Sequence, residues 1–312
     1  MELPVLYIVV PCYNEQEVLP FSAPMLKDEL CLLIHKKKVA ENSRILFVDD
    51  GSKDKTWELI LDFSQKDSHF CGISLSRNRG HQNALFAGLM EVRHKCDIAI
   101  SIDCDGQDDI TAMELMVDRY LEGCDIVYGV RSDRKSDSFP KRFFARLYYR
   151  LQKIMKIDSI YDHADFRLTS ARVLEELSGF SEVNLYLRGM FPLMGFKSTT
   201  VPYRRTKRLA GKTHYPLKKM LSLAENGIVA FSQKPLKAIT KLGLFMILIS
   251  LAALLVFVIS KVSGFVAWLF MALCFFSGII VLCIGIAGEY IYRIYEEVKA
   301  RPRYIVTERT EE

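Results

Sequence analysis

No two cysteines in this chain are spaced as Cys-x-x-Cys, and the six histidines are dispersed without a helical ligand pair. Those absences argue against both a disulfide framework and a zinc site. The eight cysteines, Cys12, Cys31, Cys71, Cys96, Cys104, Cys124, Cys274 and Cys283, are instead scattered as a reducing compartment allows. The N-terminus lacks a basic segment followed by an apolar stretch and a cleavage site, and Val5 to Val10 is far too short to serve, so no signal peptide is expected. Charge is missing altogether from two long stretches, Leu242 to Ser260 and Gly264 to Ala287. Acid is scarce between Lys197 and Lys241, where Glu225 stands alone among many Lys and Arg residues.

Each uncharged stretch is long enough to cross a bilayer core of about 30 Å at about 1.5 Å per residue. Two membrane helices joined by Lys261-Val262-Ser263 are therefore expected, over about 242–260 and 264–288. Lys234, Lys237 and Lys241 precede the first, and Arg293, Lys299, Arg301 and Arg303 follow the second, with only Lys261 between. That bias places both termini on the cytoplasmic side of a multi-pass cytoplasmic-membrane protein. A cationic segment just before a span faces anionic headgroups or a phosphorylated ligand, and without a nucleic-acid module no nucleic-acid partner is expected.

The first 230 residues alternate short apolar runs with longer helical patterns. The runs are Val5 to Val10, Arg44 to Val48, Gly72 to Leu75, Asp97 to Ile102 and Asp125 to Tyr128. This pattern predicts an α/β fold with a mostly parallel sheet covered by helices on both faces. Ligands then bind at the carboxyl ends of the strands. Three of those ends are polar: Pro11-Cys12-Tyr13-Asn14-Glu15, Asp49-Asp50-Gly51-Ser52 and Asp103-Cys104-Asp105. Asp103 and Asp105 make an oxygen-rich seat for a hard divalent cation, although a polar turn leading into a capped helix uses the same residues. Asp49 to Asp54 likewise reads as a ligand loop or as a turn before a helix capped by Ser52.

At these residues the chain resembles family 2 glycosyltransferases of GT-A fold, and more closely polyprenyl-phosphate glycosyltransferases and dolichyl-phosphate mannose synthases. The motifs that carry the resemblance are Val10 to Glu15, Val48 to Ser52, Arg77 to Ala84, Asp103 to Gln107, Tyr128 to Arg131, Asp165 to Leu168 and Arg208 to Tyr215, followed by the paired uncharged stretches. It implies a catalytic domain over 1–215, an amphipathic juxtamembrane segment over 216–241, spans over 242–288 and a cytoplasmic tail over 289–312. It also implies an inverting transfer of one sugar from a UDP-sugar to undecaprenyl phosphate in the bilayer, with Mg²⁺ or Mn²⁺ as cofactor and a homo-oligomer, tetrameric in the family pattern. The sugar would be glucose or an N-acetylhexosamine. GDP-mannose as donor is the alternative, since it shares nearly all of these motifs. A processive polysaccharide synthase would need a Gln-x-x-Arg-Trp motif, and the tryptophans are Trp57 and Trp268 only. An inactive membrane scaffold or a lipid translocase remains a reading from outside enzymology.

Within that pattern Asp105 is the first-choice metal ligand, and Asp103 reaches ribose or metal. Pro11, Tyr13, Glu15, Val48, Asp50, Cys104 and Gln107 surround the nucleotide, with the Asp50 carboxylate able to accept a uracil N3 hydrogen. Arg131 and Arg208 suit phosphate oxygens because guanidinium forks match them bidentately. His214 stands in Thr213-His214, where relatives carry Ser-Lys, and a neutral imidazole there lacks a fixed charge. Asp165 aligns with the proposed catalytic base. A phosphate monoester has its second pKa near about 6, so the acceptor needs little deprotonation and Asp165 is expected at least as much to orient the acceptor or an arginine. A helix-entry carboxylate paired with Arg167 is the competing assignment for Asp165. Two basic amphipathic stretches, 138–156 and 216–233, suit either an interface or a packed surface.

Overall fold

A computed structural model describes residues 2–132, 163–182, 185–205, 245 and 265–310. Eight strands form one sheet: β1 Leu6–Cys12, β2 Arg44–Asp49, β3 Phe70–Leu75, β4 Ile98–Ser101, β5 Ile126–Arg131, β6 His163–Ser170, β7 Ser198–Tyr203 and β8 Val306–Arg309. The helices are α1 Leu19–His35, α2 Thr56–Lys66, α3 His81–Val92, α4 Ala112–Leu121, α5 Ala171–Ser178, α6 Leu187–Leu193 and α7 Phe265–Lys299.

Spatial order across the sheet is β7-β5-β6-β4-β1-β2-β3-β8. Strand β1 pairs parallel with β2 and β4, β2 with β3, and β5 with β7. Strand β6 runs antiparallel between β4 and β5, and β8 runs antiparallel along β3. The mostly parallel sheet flanked by helices is thus the architecture that the alternating runs predict, and it is GT-A-like as the resemblance implies. Its central strands are buried on both faces, so they read as continuous apolar runs rather than alternating ones. Ile8, Val10, Phe47 and Ile100 pack under α1, α2 and α4, while Val9, Leu46 and Val48 pack under α3, α5 and α6. Each such fully buried aliphatic side chain contributes about 1.5–3 kcal/mol.

Three features differ from the sequence expectation. Ser52 does not cap α2, which begins at Thr56; the Ser52 hydroxyl instead accepts the Asn14 N–H at 2.9 Å. The helix after the acidic pair starts only at Ala112, because Asp109 first folds back to accept the Thr111 N–H at 3.1 Å. The segment expected as a tail supplies β8, with Ile73 opposite Arg309 and Ser74 opposite Glu308.

Among the described residues no helix is long and apolar enough to cross a membrane. Helix α7 runs for 35 residues, Phe265–Lys299. Apart from Phe245, the first expected span lies outside the described residues. The paired spans therefore gain no support from the fold itself.

Candidate active site

Four carboxyl-terminal strand ends and the turn after β4 meet on one side of the sheet. At the first, β1 runs on into a loop stitched to the one after β2. The Asn14 amide oxygen accepts the Lys53 N–H at 2.9 Å, and the Glu15 N–H donates to the Thr56 hydroxyl at 2.9 Å. Asn14 pays for this with a left-handed backbone, φ 53°. Pro11 and Val48 sit opposite each other in the β1–β2 ladder and are buried. Tyr13 and Glu15 are partly exposed at the mouth.

The two acids after β2 have different jobs. Asp49 is buried, its Oδ1 accepting the Ser52 N–H at 3.1 Å and its Oδ2 the Ser74 hydroxyl at 2.9 Å, which fastens the turn to β3. Asp50 accepts the Arg79 N–H at 2.7 Å and the Gly80 N–H at 2.9 Å. Burial pushes its carboxyl up to about 6, although those two N–H groups favour the ionised form. Gly51 makes the close approach possible: its φ is 64°, and a Cβ there would lie 2.5 Å from the Arg77 carbonyl carbon.

Asp50 thereby fixes the loop that opens α3, and α3 begins with His81 and Gln82. His81 Nε2 lies 3.2 Å from Asp165 Oδ2 and 3.6 Å from Asp103 Oδ1, and Gln82 Nε2 donates to Asp165 Oδ2 at 3.4 Å. Burial works against charge on His81, but the hydrogen bond to Asp165 and the negative charges of Asp103 and Asp165 win, raising it to about 9. The Gln82 amide oxygen also accepts the Leu187 N–H at 3.0 Å, which holds the start of α6.

Asp165 lies in β6, not at a helix entry, and its partner is Arg188 rather than Arg167. Arg188 Nε donates to Oδ1 at 3.1 Å and Nη2 to Oδ2 at 3.0 Å. Burial alone would raise the Asp165 carboxyl; the Arg188 charge and the His81 contact hold it well below the usual carboxylate range. The Ser101 hydroxyl, at the end of β4, donates to the Asp165 carbonyl and so locks β6 beside the acidic pair. Arg167 points elsewhere. It is buried, with its guanidinium carbon 4.0 Å from the Phe191 ring centroid and 5.3 Å from that of Tyr128.

The acidic turn follows β4. Asp105 Oδ1 accepts the Gln107 N–H at 3.0 Å, and Gly106 turns the chain with φ 66°. Cys104 is buried, its sulfur 3.6 Å from the Ser22 hydroxyl. Asp108, which the sequence gives no reason to single out, is buried and accepts the Tyr203 hydroxyl at 2.8 Å. Burial, and then the Asp103 charge, push its carboxyl up to about 6. Arg131, at the end of β5, reaches the Tyr203 hydroxyl with Nε at 3.4 Å. Arg205, just past β7, has Nη2 3.9 Å from Asp105 and Nε 4.0 Å from Asp108. Arg208 and His214 lie outside the described residues.

Among the described residues no group of three metal-ligating side chains is gathered. Two carboxylates are nevertheless a sufficient protein share for Mg²⁺ or Mn²⁺, which keep waters and take phosphate oxygens for the rest. The turn fits such a cation, because Asp108 Oδ2 is buried there with no hydrogen-bond partner. The structure brings Asp103, Asp105, Asp165 and Arg131 to one strand-end crevice and adds His81, Asp108, Arg188 and Arg205. Arg188 was missed because it follows Asp165 by 23 positions with no local motif; only its isolation as a cation in the apolar stretch Leu185 to Leu193 marks it.

Residues 7–178 match the family described as glycosyl transferase family 2. An uncharacterized glycosyltransferase, YkoT of Bacillus subtilis, is 48% identical over 307 residues, 97% of this chain and 91% of that protein. The bactoprenol glucosyl transferase of Shigella phage SfX is 35% identical over 309 residues, covering 97% of this chain and 98% of the relative. Glucosyl-3-phosphoglycerate synthase of Mycobacterium tuberculosis, solved with Mn²⁺ and UDP-glucose, is similar at a TM-score of 0.46 and 15% identity over 72% of this chain and 78% of that one, too slight a likeness to carry an argument. The family match spans more than half of the chain and the close relatives nearly all of it, and the protein belongs to glycosyltransferase family 2 as a sugar-transferring enzyme.

Proposed function

We propose that this enzyme transfers a single sugar from a UDP-sugar to a polyprenyl phosphate at the cytoplasmic face of a membrane, with inversion at the anomeric carbon. The observation that carries the reading is the pairing of two subsites in one crevice. Asp103 and Asp105 offer a cation seat, and Asp165 holds the Arg188 guanidinium 3.0 Å away, next to His81, which spans the two. Near-full-length similarity to a bactoprenol glucosyl transferase supports the acceptor.

Asp103 and Asp105 would hold Mg²⁺ or Mn²⁺, which as a Lewis acid offsets the charge that develops on the leaving diphosphate. Asp50, held by the Arg79 and Gly80 N–H groups, would accept the uracil N3 hydrogen. Arg131 and Arg205 supply guanidinium groups to diphosphate oxygens. Asp165 is a poor proton acceptor in this setting, since Arg188, His81 and Gln82 all donate to it. Its role in the proposal is to orient Arg188 toward the acceptor phosphate, which is already largely dianionic near neutral pH.

A lipid acceptor requires the enzyme at the bilayer. Support comes from the absence of charge between Phe265 and Ala287 in α7, and from the exposure of Trp268, Phe275, Ile280 and Ile284 along it. Incubating membranes that contain the protein with a panel of nucleotide sugars, Mn²⁺ and polyprenyl phosphate should yield a charged glycolipid with a UDP-sugar. Product from GDP-mannose alone would reassign the donor, and no product with any donor would overturn the proposal.

A further inference from the structure

Arg205 stands beside the acidic turn. Its Nη2 is 3.9 Å from Asp105 Oδ2 and its Nε is 4.0 Å from Asp108 Oδ1. Both contacts are too long for hydrogen bonds, and Arg205 Nε and Asp108 Oδ2 are each buried with no such partner. The guanidinium therefore acts on these carboxylates as a nearby charge rather than as a bonded fork. A loosely held arginine is an unusual neighbour for Asp108, whose carboxyl group is almost wholly removed from water.

We propose that Arg205 is a resident counter-cation of the acidic turn. It competes with a divalent cation for Asp105 and Asp108, and it is handed to the diphosphate when cation and nucleotide enter together. The proposal rests on the reading of this turn as a metal and nucleotide-sugar site. Two cations cannot share one carboxylate edge without repulsion, so a metal arriving alone must displace the guanidinium. A nucleotide diphosphate removes that penalty, because its oxygens accept the two parallel N–H donors that the carboxylates hold only at long range. Metal and nucleotide then each strengthen the binding of the other, through a side chain that touches one in each state. Asp108 completes the device. Fixed by the Tyr203 hydroxyl at 2.8 Å, it gives Arg205 a second negative neighbour and keeps one buried oxygen without a hydrogen-bond partner.

Titration calorimetry of the detergent-solubilised full chain with Mn²⁺ alone, with UDP alone and with both tests the idea without turnover. Arg205→Gln should bind Mn²⁺ alone about threefold to tenfold more tightly than the wild type, the factor expected for removing a partly screened charge about 4 Å from a ligand. It should also lose most of the mutual enhancement between Mn²⁺ and UDP. Arg205→Lys keeps the charge but not the fork, so its Mn²⁺ affinity should stay near wild type while the enhancement falls. Equal or weaker Mn²⁺ binding by Arg205→Gln, with binding still abolished by Asp105→Asn, overturns the counter-cation and leaves the metal seat standing. No Mn²⁺ binding by any form, with or without UDP, overturns the seat and the proposal together.

Discussion

Arg188 grips Asp165 through two parallel hydrogen bonds, Nε to Oδ1 at 3.1 Å and Nη2 to Oδ2 at 3.0 Å. With His81 and Gln82 also directed at Oδ2, the carboxylate is committed to donors from two helices. A carboxylate so held keeps its charge and takes up a proton poorly, so it organises the crevice rather than shuttling protons.

Asp165→Asn should therefore lose at least about a hundredfold in kcat/KM, the size of effect that follows misplacement of a positioned group, and should not recover as pH rises. Recovery at high pH, where the acceptor is fully ionised, would restore the role of general base. The same change strands the Arg188 and His81 charges. Removing one partner of a buried pair costs about 3–5 kcal/mol, and partial exposure of Arg188 puts the expected loss at the lower end in thermal unfolding.

Asp50 makes a prediction about pH. Its carboxyl is raised to about 6 from an ordinary 3.8, so the folded state holds the proton more tightly than the unfolded one. The resulting stabilisation is complete below about 3.8 and is lost as pH climbs through 6. A uracil N3–H donated to Asp50 favours the ionised form, so UDP affinity should rise across that interval and level off above it. Calorimetry in buffers of different ionisation heat should show proton release on UDP binding near pH 5. Binding that does not change with pH would remove Asp50 from the base contact.

Arg167 is a buried cation stacked on Phe191 and Tyr128, with Nε and Nη2 lacking hydrogen-bond partners. Burial lowers its pKa to about 10 against the opposing pull of the Asp165 charge. Arg167→Met keeps the length and discards the charge, so stability should hold or rise by up to about 2 kcal/mol. Arg167→Ala should instead lose stability by opening space beside Phe191. A large loss in the Met variant, read by thermal unfolding, would mean that the stacked charge itself supports the fold.

Whether a part was legible in the sequence depended on how much of its signal was local. Strands β1 to β5 announce themselves because both faces are largely buried and most of their residues are apolar. Strand β6 was hidden, since it carries Asp165, Arg167 and Thr169 on one side and reads as a polar motif. Asp103, Asp105 and Asp50 were visible because a strand end and a turn motif coincide there. Asp108 and Arg205 were not, because their significance arises from β7 packing beside β5, which brings together residues 97 positions apart. Asp50 also shows a limit of motif reading, as its two backbone hydrogen bonds are structural duties that no residue pattern displays.

Strand β8 was the least legible element, four mostly polar residues at the far side of a 35-residue helix. It covers the open edge of β3, where unpaired N–H and C=O groups would otherwise invite other chains. Trp57 Nε1 donates to Glu308 at 2.9 Å, the Gly72 N–H to the Thr310 hydroxyl at 3.0 Å, and Tyr304 packs edge-on to Phe86 with ring centroids 6.3 Å apart. Ending the chain after Arg303 should lower stability by about 2–4 kcal/mol, several net hydrogen bonds and one buried aromatic contact, and should promote association through β3. Thr310→Val isolates one part of this. It keeps the shape but strands the buried Gly72 N–H, at a cost of about 1–3 kcal/mol. Faster hydrogen exchange at Gly72 with little change at β1 would locate the effect at this edge. Uniformly faster exchange would show instead that β8 is integral to the whole sheet, so that the last residues of the chain fold with the catalytic domain as one cooperative unit.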